Sequence, residues 1–253
     1  MIRYEINPKY SSLKDEILQI PGRFETEGEV IHALRNVIKV ITVGGIRMNV
    51  KSFKVPHLIN RFAYAYVRKS KAERSFEYGN KLLALGVNNP EPVAYIVYRT
   101  FPGITRSYYI SLQQEYDFTF EGLIKQQPEN MEPILRAFTR FTYNFHTQGV
   151  YFVDHSPANT LIRRMPDGQY SFSLVDLNRI KFMKISPYAG LQNFYRLHMT
   201  DAMIRIVADE YATLCGADKE AMTLKLTEWI HAHDEQVRKK RIAKGLSPDY
   251  LSD

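Results

Sequence analysis

Two carboxylates and one amide in the middle of the chain have the residue types that proton transfer and cation binding require. In GVYFVDHSPANTLI, residues 149–162, an apolar run ends at Asp154, and Asn159 follows five residues later. Asp176 lies 22 residues beyond Asp154, within FSLVDL. A carboxylate can accept a proton, and carboxylate and amide oxygens are ligands that Mg²⁺ prefers. Because Asp and Asn also form ordinary turns, a purely local role for each residue stays open.

The elements that must position these residues change from β-rich to helical along the chain. A hairpin is predicted where Gly44-Gly45 separates VIKVITV from IRMNVKSF. A helix is predicted over SKAERSFEYGNKLLALG, ending at Gly86, and two strands follow in PVAYIVY and SYYISLQQEY. Apolar residues at helical spacing predict another helix in MEPILRAFTRFTYNFHTQG, ending at Gly149. FSLVDL predicts a short strand, and roughly the last 65 residues predict helices. The order is a small β-rich lobe with one helix, then a larger helical lobe.

Composition sets the class of protein. With 253 residues, 45% hydrophobic and 24% charged, the chain has globular values and is long enough for one large domain or two lobes. We find no apolar run of transmembrane length and no signal-peptide core in MIRYEINPKYSSLKDE, so we expect a cytoplasmic protein. The single cysteine, Cys215, excludes internal disulfides and a Cys-cluster metal site. The formal charge of +7 favours anionic partners.

The arrangement around the three polar residues resembles the catalytic core of the protein-kinase-like fold. The signature there is a loop Asp, an Asn five residues later and a second Asp on the next hairpin. The resemblance implies that Asp154 accepts the proton of the attacking hydroxyl, and that Asn159 and Asp176 bind Mg²⁺. It also implies that ATP lies in a cleft near residues 112–118.

The same resemblance implies a phosphate-binding lysine on the third strand and a glutamate on the next helix that holds it. Lys51, in NVKSF, fits the pattern better than Lys54, and strict strand alternation would point the two lysines to opposite faces. On the helix, Glu73 and Glu77 are four residues apart and share a face. We select Glu77 by its distance from LLALG, and Glu73 stays open.

Three stretches resemble the lipopolysaccharide-kinase group of this superfamily, the Kdo and heptose kinases: residues 70–95, 145–162 and 173–182. That resemblance implies phosphorylation of a sugar hydroxyl on a lipid-linked glycan at the inner face of the cytoplasmic membrane. The basic segment VRKKRIAKG is a candidate peripheral contact with an anionic membrane surface, and a solvated helix end is the alternative. The first stretch also resembles RIO-like and other small-molecule kinases, so the acceptor stays open.

The sequence departs from the protein-kinase pattern in several places. No G-x-G-x-x-G covers the first hairpin, and no A-P-E follows the second Asp. Phe152-Val153 replaces the usual His-Arg, and Ser156 stands where protein kinases carry a lysine. The usual D-F-G is Asp176-Leu177-Asn178. These departures oppose a regulated protein kinase and favour a kinase for a small or lipid-linked substrate.

We therefore predict an α+β, two-lobed, protein-kinase-like fold with an N-lobe at 1–112 and a C-lobe at 113–253. The predicted activity is a phosphotransferase that uses ATP and Mg²⁺ and a sugar or lipid-linked glycan acceptor. A pseudokinase or scaffold that binds nucleotide without turnover is the second hypothesis, because the glycine-rich loop is missing. A basic nucleic-acid-binding protein is third, and salt-dependent binding would reveal it.

Overall fold

The computed structural model describes residues 1–33, 36–54, 69–100 and 103–248. The chain divides into two compact units. The first comprises residues 1–114 together with 176–179, and the second comprises 115–175 and the chain from 180 onward. The lobe boundary that we place after residue 112 stays a prediction.

The first unit contains a six-stranded sheet in the order β1-β5-β6-β4-β3-β2, in which every neighbouring pair is antiparallel. Its strands are β1 (Ile2–Ile6), β2 (Glu29–Ala33), β3 (Val37–Val43), β4 (Ile46–Ser52), β5 (Pro92–Thr100) and β6 (Gly103–Leu112). The predicted hairpin is β3–β4, closed by Val43 opposite Ile46. Gly44 and Gly45 have φ values of 55° and 78°, which suit a two-residue hairpin turn and which glycine adopts without a side-chain clash.

The helix predicted after this hairpin is α2 (Lys71–Ala84), and it covers one face of the sheet. It begins with a capping box between Ser70 and Glu73, and it ends just before Gly86, whose φ is 73°. Phe76 of α2 packs against Tyr95 of β5 with the ring centroids 5.6 Å apart. Lys51 lies on β4, one residue after Val50, which is buried in the core on the opposite face.

A second helix in this unit, α1 (Lys14–Arg23), differs from the prediction of one helix. Its sequence contains Pro21 and Gly22, and both residue types usually mark the end of a helix. Ile17 and Ile20 are nevertheless fully buried against the sheet, opposite the face that α2 covers. Burial of these side chains outweighs the local cost of a proline inside the helix.

The second unit is mainly helical and holds two small sheets. The helices are α3 (Phe120–Gln126), α4 (Met131–Thr147), α5 (Pro187–Gln192), α6 (Asp201–Cys215) and α7 (Lys219–Ile242). The strands are β7 (Phe118–Thr119), β8 (Val150–Phe152), β9 (Thr160–Arg164), β10 (Tyr170–Leu174) and β11 (Ile180–Phe182), ordered β10-β9-β7 and β11-β8. Of the helices in the described ranges, none combines the length and the apolar character needed to cross a membrane.

Helix α4 carries the apolar face that the sequence predicts, with Leu135, Phe138 and Phe145 fully buried. The helix stops at Thr147, and Gly149, with φ 74°, turns the chain into β8. Strand β8 therefore follows directly from a helix that is packed in the core. The loop after β8, which carries Asp154, thus has a fixed position within the second unit.

Candidate active site

The first unit brings Lys51 and Asp176 together. The Lys51 Nζ atom lies 2.7 Å from Asp176 Oδ1, and the exposed fractions of the two side chains are 12% and 30%. The Lys51 ammonium also lies 5.4 Å from the centroid of the Phe53 ring. The chain thus pairs a largely buried cation with a carboxylate that is far from it in sequence.

A tight turn presents Asp176. The strand predicted over FSLVDL ends at Leu174, and Asp176 itself has φ 60°, a left-handed conformation that Asp tolerates better than most residues. The Nδ2 atom of Asn178 donates a hydrogen bond of 2.6 Å to Asp176 Oδ1, and Arg74 Nε donates to the Asn178 carbonyl at 3.0 Å. The residue that replaces the usual glycine of D-F-G therefore holds the carboxylate in place.

The second unit holds Asp154 and Asn159 in one loop after β8. The Asn159 Nδ2 atom donates to the Asp154 carbonyl at 2.8 Å, and the Asn159 carbonyl accepts from Val175 N at 3.0 Å. Because the amide nitrogen makes this bond, the amide oxygen is the atom that could bind a cation. A single turn of 3-10 helix, with Pro157 buried, folds the chain back between the two residues.

An arginine outside the loop contacts the Asp154 carboxylate. The Arg196 Nη1 atom lies 3.1 Å from Asp154 Oδ1 and donates to the Val153 carbonyl at 3.3 Å. Nothing in the spacing of NFYRLH, residues 193–198, indicates this contact, so sequence reasoning missed it. The loop lacks the arginine and the lysine of the protein-kinase pattern. That absence is the one sequence signal that could have prompted a search for a cation elsewhere in the chain.

A buried hydrogen-bond chain fixes the end of β8. Asn193 donates from Nδ2 to the Phe152 carbonyl at 2.8 Å, and its Oδ1 lies 3.1 Å from His146 Nε2. Because Oδ1 can only accept, Nε2 carries the proton, and His146 Nδ1 accepts from the Tyr211 hydroxyl at 3.0 Å. Burial lowers the pKa of His146 to about 4, so the ring is neutral at pH 7. Gly190 lies so close that a Cβ there would be 1.8 Å from the Tyr211 hydroxyl oxygen.

His155, next to Asp154, is fully buried among aromatic rings. The Phe138, Phe145 and Phe194 centroids lie 5.6 to 5.9 Å from its own. Burial lowers the pKa of His155 to about 3, which keeps the imidazole neutral. We infer that this histidine packs the back of the loop.

The two glutamates of α2 that the sequence offers as partners of Lys51 form other ion pairs in the structure. Glu77 forms an ion pair with Lys69, whereas Lys51 pairs with Asp176. Glu73 is fully buried and lies 3.3 Å from Arg3 and 3.4 Å from Arg99. The two glutamates differ in exposure. The Glu77 side chain is 36% exposed and pairs with an exposed lysine, whereas the buried Glu73, in the first turn of the helix, pairs with two arginines. The role of Glu77 as the partner of Lys51 stays a prediction.

Each unit carries an oxygen donor of the kind that Mg²⁺ prefers. Across the part of the chain that the structure describes, no group of three or more His, Cys, Asp or Glu side chains is placed to hold a metal ion. Mg²⁺ typically binds one or two carboxylates and completes its shell with waters and substrate phosphates. Asp176 is a carboxylate donor and Asn159 is an amide donor, and each is an oxygen ligand of the type that Mg²⁺ prefers.

Structural comparison identifies the fold. The structure of WaaP in complex with acyl carrier protein resembles this chain with a TM-score of 0.62 at 16% identity, covering 92% of this chain and 98% of that one. The chain therefore has a WaaP-like, protein-kinase-like α+β fold, which confirms the predicted fold class.

A second solved structure, of a Stt7 homologue from Micromonas algae soaked with ATP, matches with a TM-score of 0.44 at 13% identity. That match covers 61% of this chain and 49% of the other, and it carries no further argument. No family model matches the sequence, and no curated protein matches it.

Proposed function

We propose that this protein is an ATP- and Mg²⁺-dependent kinase that phosphorylates a sugar hydroxyl of a lipopolysaccharide-core-like or other small glycan acceptor. The proposal rests on one observation above all. Within a kinase-like fold, the lysine and the aspartate that the sequence pattern selects as phosphate and metal ligands meet at 2.7 Å. A basic and an acidic group so placed are what a nucleotide phosphate and its cation require.

Each residue has a distinct part in the proposed reaction. Asp154 orients the acceptor hydroxyl and takes its proton, and Lys51 binds the phosphates of the nucleotide. Asp176 and the amide oxygen of Asn159 would hold Mg²⁺, which supplies charge neutralisation at the phosphates. Glu77 stays the predicted partner of Lys51 during nucleotide binding, and in this structure its carboxylate pairs with Lys69.

The experiment is transfer of phosphate from Mg-ATP by the purified chain to a panel of Kdo, heptose and lipid-linked glycan acceptors. Asp154→Asn should leave nucleotide affinity nearly unchanged and lower turnover by roughly 10²–10⁴, the usual range for losing a positioned general base. Asp167→Asn, at an exposed turn between β9 and β10, is the matched control and should behave as wild type. Wild-type turnover in Asp154→Asn would contradict the assignment.

A pseudokinase is the second candidate, and the same ion pair favours it. Lys51 and Asp176 neutralise each other, so phosphate and cation must compete with an existing contact. If the chain binds nucleotide yet transfers phosphate to no acceptor and to no water, this second function is the correct one.

A further inference from the structure

An arginine from outside the catalytic loop contacts the proposed base. Arg196 lies between α5 and α6, and its Nη1 atom bonds both the carboxylate of Asp154 and the carbonyl of Val153, at 3.1 and 3.3 Å. Both contacts lie within the second unit. The side chains of Arg196 and Asp154 are 33% and 20% exposed, so the pair is partly shielded from water.

The loop itself offers no cation. Residues 149–162 contain neither Lys nor Arg. Val153 stands at the position of the arginine in the protein-kinase pattern, and Ser156 stands at that of the lysine. A carboxylate that must stay in one rotamer gains most from a charged donor, because charge-assisted hydrogen bonds are stronger than neutral ones.

The segment that carries Arg196 is itself fixed. Three residues earlier, Asn193 is only 2% exposed and donates to the Phe152 carbonyl at 2.8 Å. Phe194 and Leu197 are fully buried in the core of the second unit. The guanidinium therefore extends from a backbone that is anchored on both sides of it.

We propose that Arg196 is the positioning residue for Asp154, replacing from a distant segment the cation that the loop lacks. The inference rests on the proposed function. One nitrogen of the planar Arg196 guanidinium contacts both the Asp154 carboxylate and the Val153 carbonyl. These two contacts together fix the carboxylate relative to the backbone that carries it. Because catalysis depends on alignment to a fraction of an ångström, a loose Asp154 would be a poor base.

The test compares Arg196→Gln and Arg196→Lys with Arg205→Gln, an exposed arginine of α6. Arg196→Gln should lower kcat by roughly 10–100-fold and keep the KM for ATP within about twofold, because the change affects alignment and not nucleotide binding. Arg196→Lys should regain part of the loss, and Arg205→Gln should match wild type. In an Asp154→Asn background, Arg196→Gln should cause no further loss, since the arginine acts only through that carboxylate.

Thermal unfolding of the same variants supplies a readout that does not need activity. The melting-temperature shifts of Asp154→Asn and Arg196→Gln should be less than additive in the double variant. Additive shifts, or independent losses of kcat in the double variant, would overturn the inference. If the shifts are coupled but wild type transfers no phosphate, the proposed function is what fails, and Arg196 is then only a structural partner of Asp154.

Discussion

The two buried histidines behind the loop of Asp154 should make the protein sensitive to acid. Burial lowers the pKa of His146 to about 4 and that of His155 to about 3, and the charge of one histidine would further disfavour protonation of the other. An unfolded histidine titrates near about 6.5. The unfolded chain therefore binds protons first, so this stability is fully present above about pH 6.5 and is lost as the pH falls towards the folded-state values.

The size of the effect follows from these values. Between pH 7 and pH 5, a histidine with an unfolded pKa of about 6.5 and a folded pKa of about 4 or 3 costs roughly 2 kcal/mol of unfolding free energy. Both together cost about 4 kcal/mol, a large part of the 5–15 kcal/mol that typical domains possess. Acid should then loosen the second unit while most carboxylates are still ionised.

Urea denaturation at pH 7 and pH 5 measures this loss. His155→Leu replaces the imidazole with an apolar side chain of similar size among the aromatic rings, so the variant should lose about 2 kcal/mol less than wild type over this interval. His32→Gln, at an exposed position on β2, is the control and should lose as much as wild type. The comparison uses differences between the two pH values, so a change in stability at pH 7 does not affect it. An unchanged pH dependence in His155→Leu would refute the reasoning.

Two further predictions concern the first unit's lysine and the packing beside His146. Lys51→Met should weaken Mg-ATP affinity and turnover by at least about tenfold. Lys54→Met should change both little, because Lys54 is exposed beyond the end of β4. A Mg-ATP titration in which the two variants behave alike would contradict this prediction. Gly190→Ala should lower stability by about 1–3 kcal/mol, because its Cβ would lie 1.8 Å from the Tyr211 hydroxyl oxygen. Gly22→Ala should keep or raise the melting temperature in the same scan, because no described atom outside the adjoining residues and the helix's own backbone lies within 4 Å of the new Cβ.

The sequence predicts the elements whose ends and faces are encoded locally. The hairpin at Gly44-Gly45 and the helix that ends before Gly86 need only a turn pair and a cap, and both form as expected. Helix α1 does not follow from its sequence, since Pro21 argues against it and only contacts with the distant strands of the sheet compensate. Local rules fail where tertiary burial decides.

The site shows the same division. The position of Asp154 and Asn159 in one loop follows from their spacing, because a short strand must end where the apolar run ends. The choice of carboxylate beside Lys51 does not follow, because Asp176 is far away in sequence and its approach depends on the fold. The contact of Arg196 with Asp154 cannot be predicted for the same reason, because ion pairs between distant residues leave no periodic pattern in the sequence.

The short segment that holds Asn193 and Arg196 has a consequence for local opening. Strand β8 has only three residues. Asn193 donates to its last carbonyl, that of Phe152, and Arg196 donates to the next carbonyl along the chain, that of Val153. Residues that share such contacts open together and not one at a time. In hydrogen exchange, amides at 152–155 should therefore exchange at rates set by the opening of 193–197. A fluctuation of that distant segment would expose the loop of Asp154 to solvent.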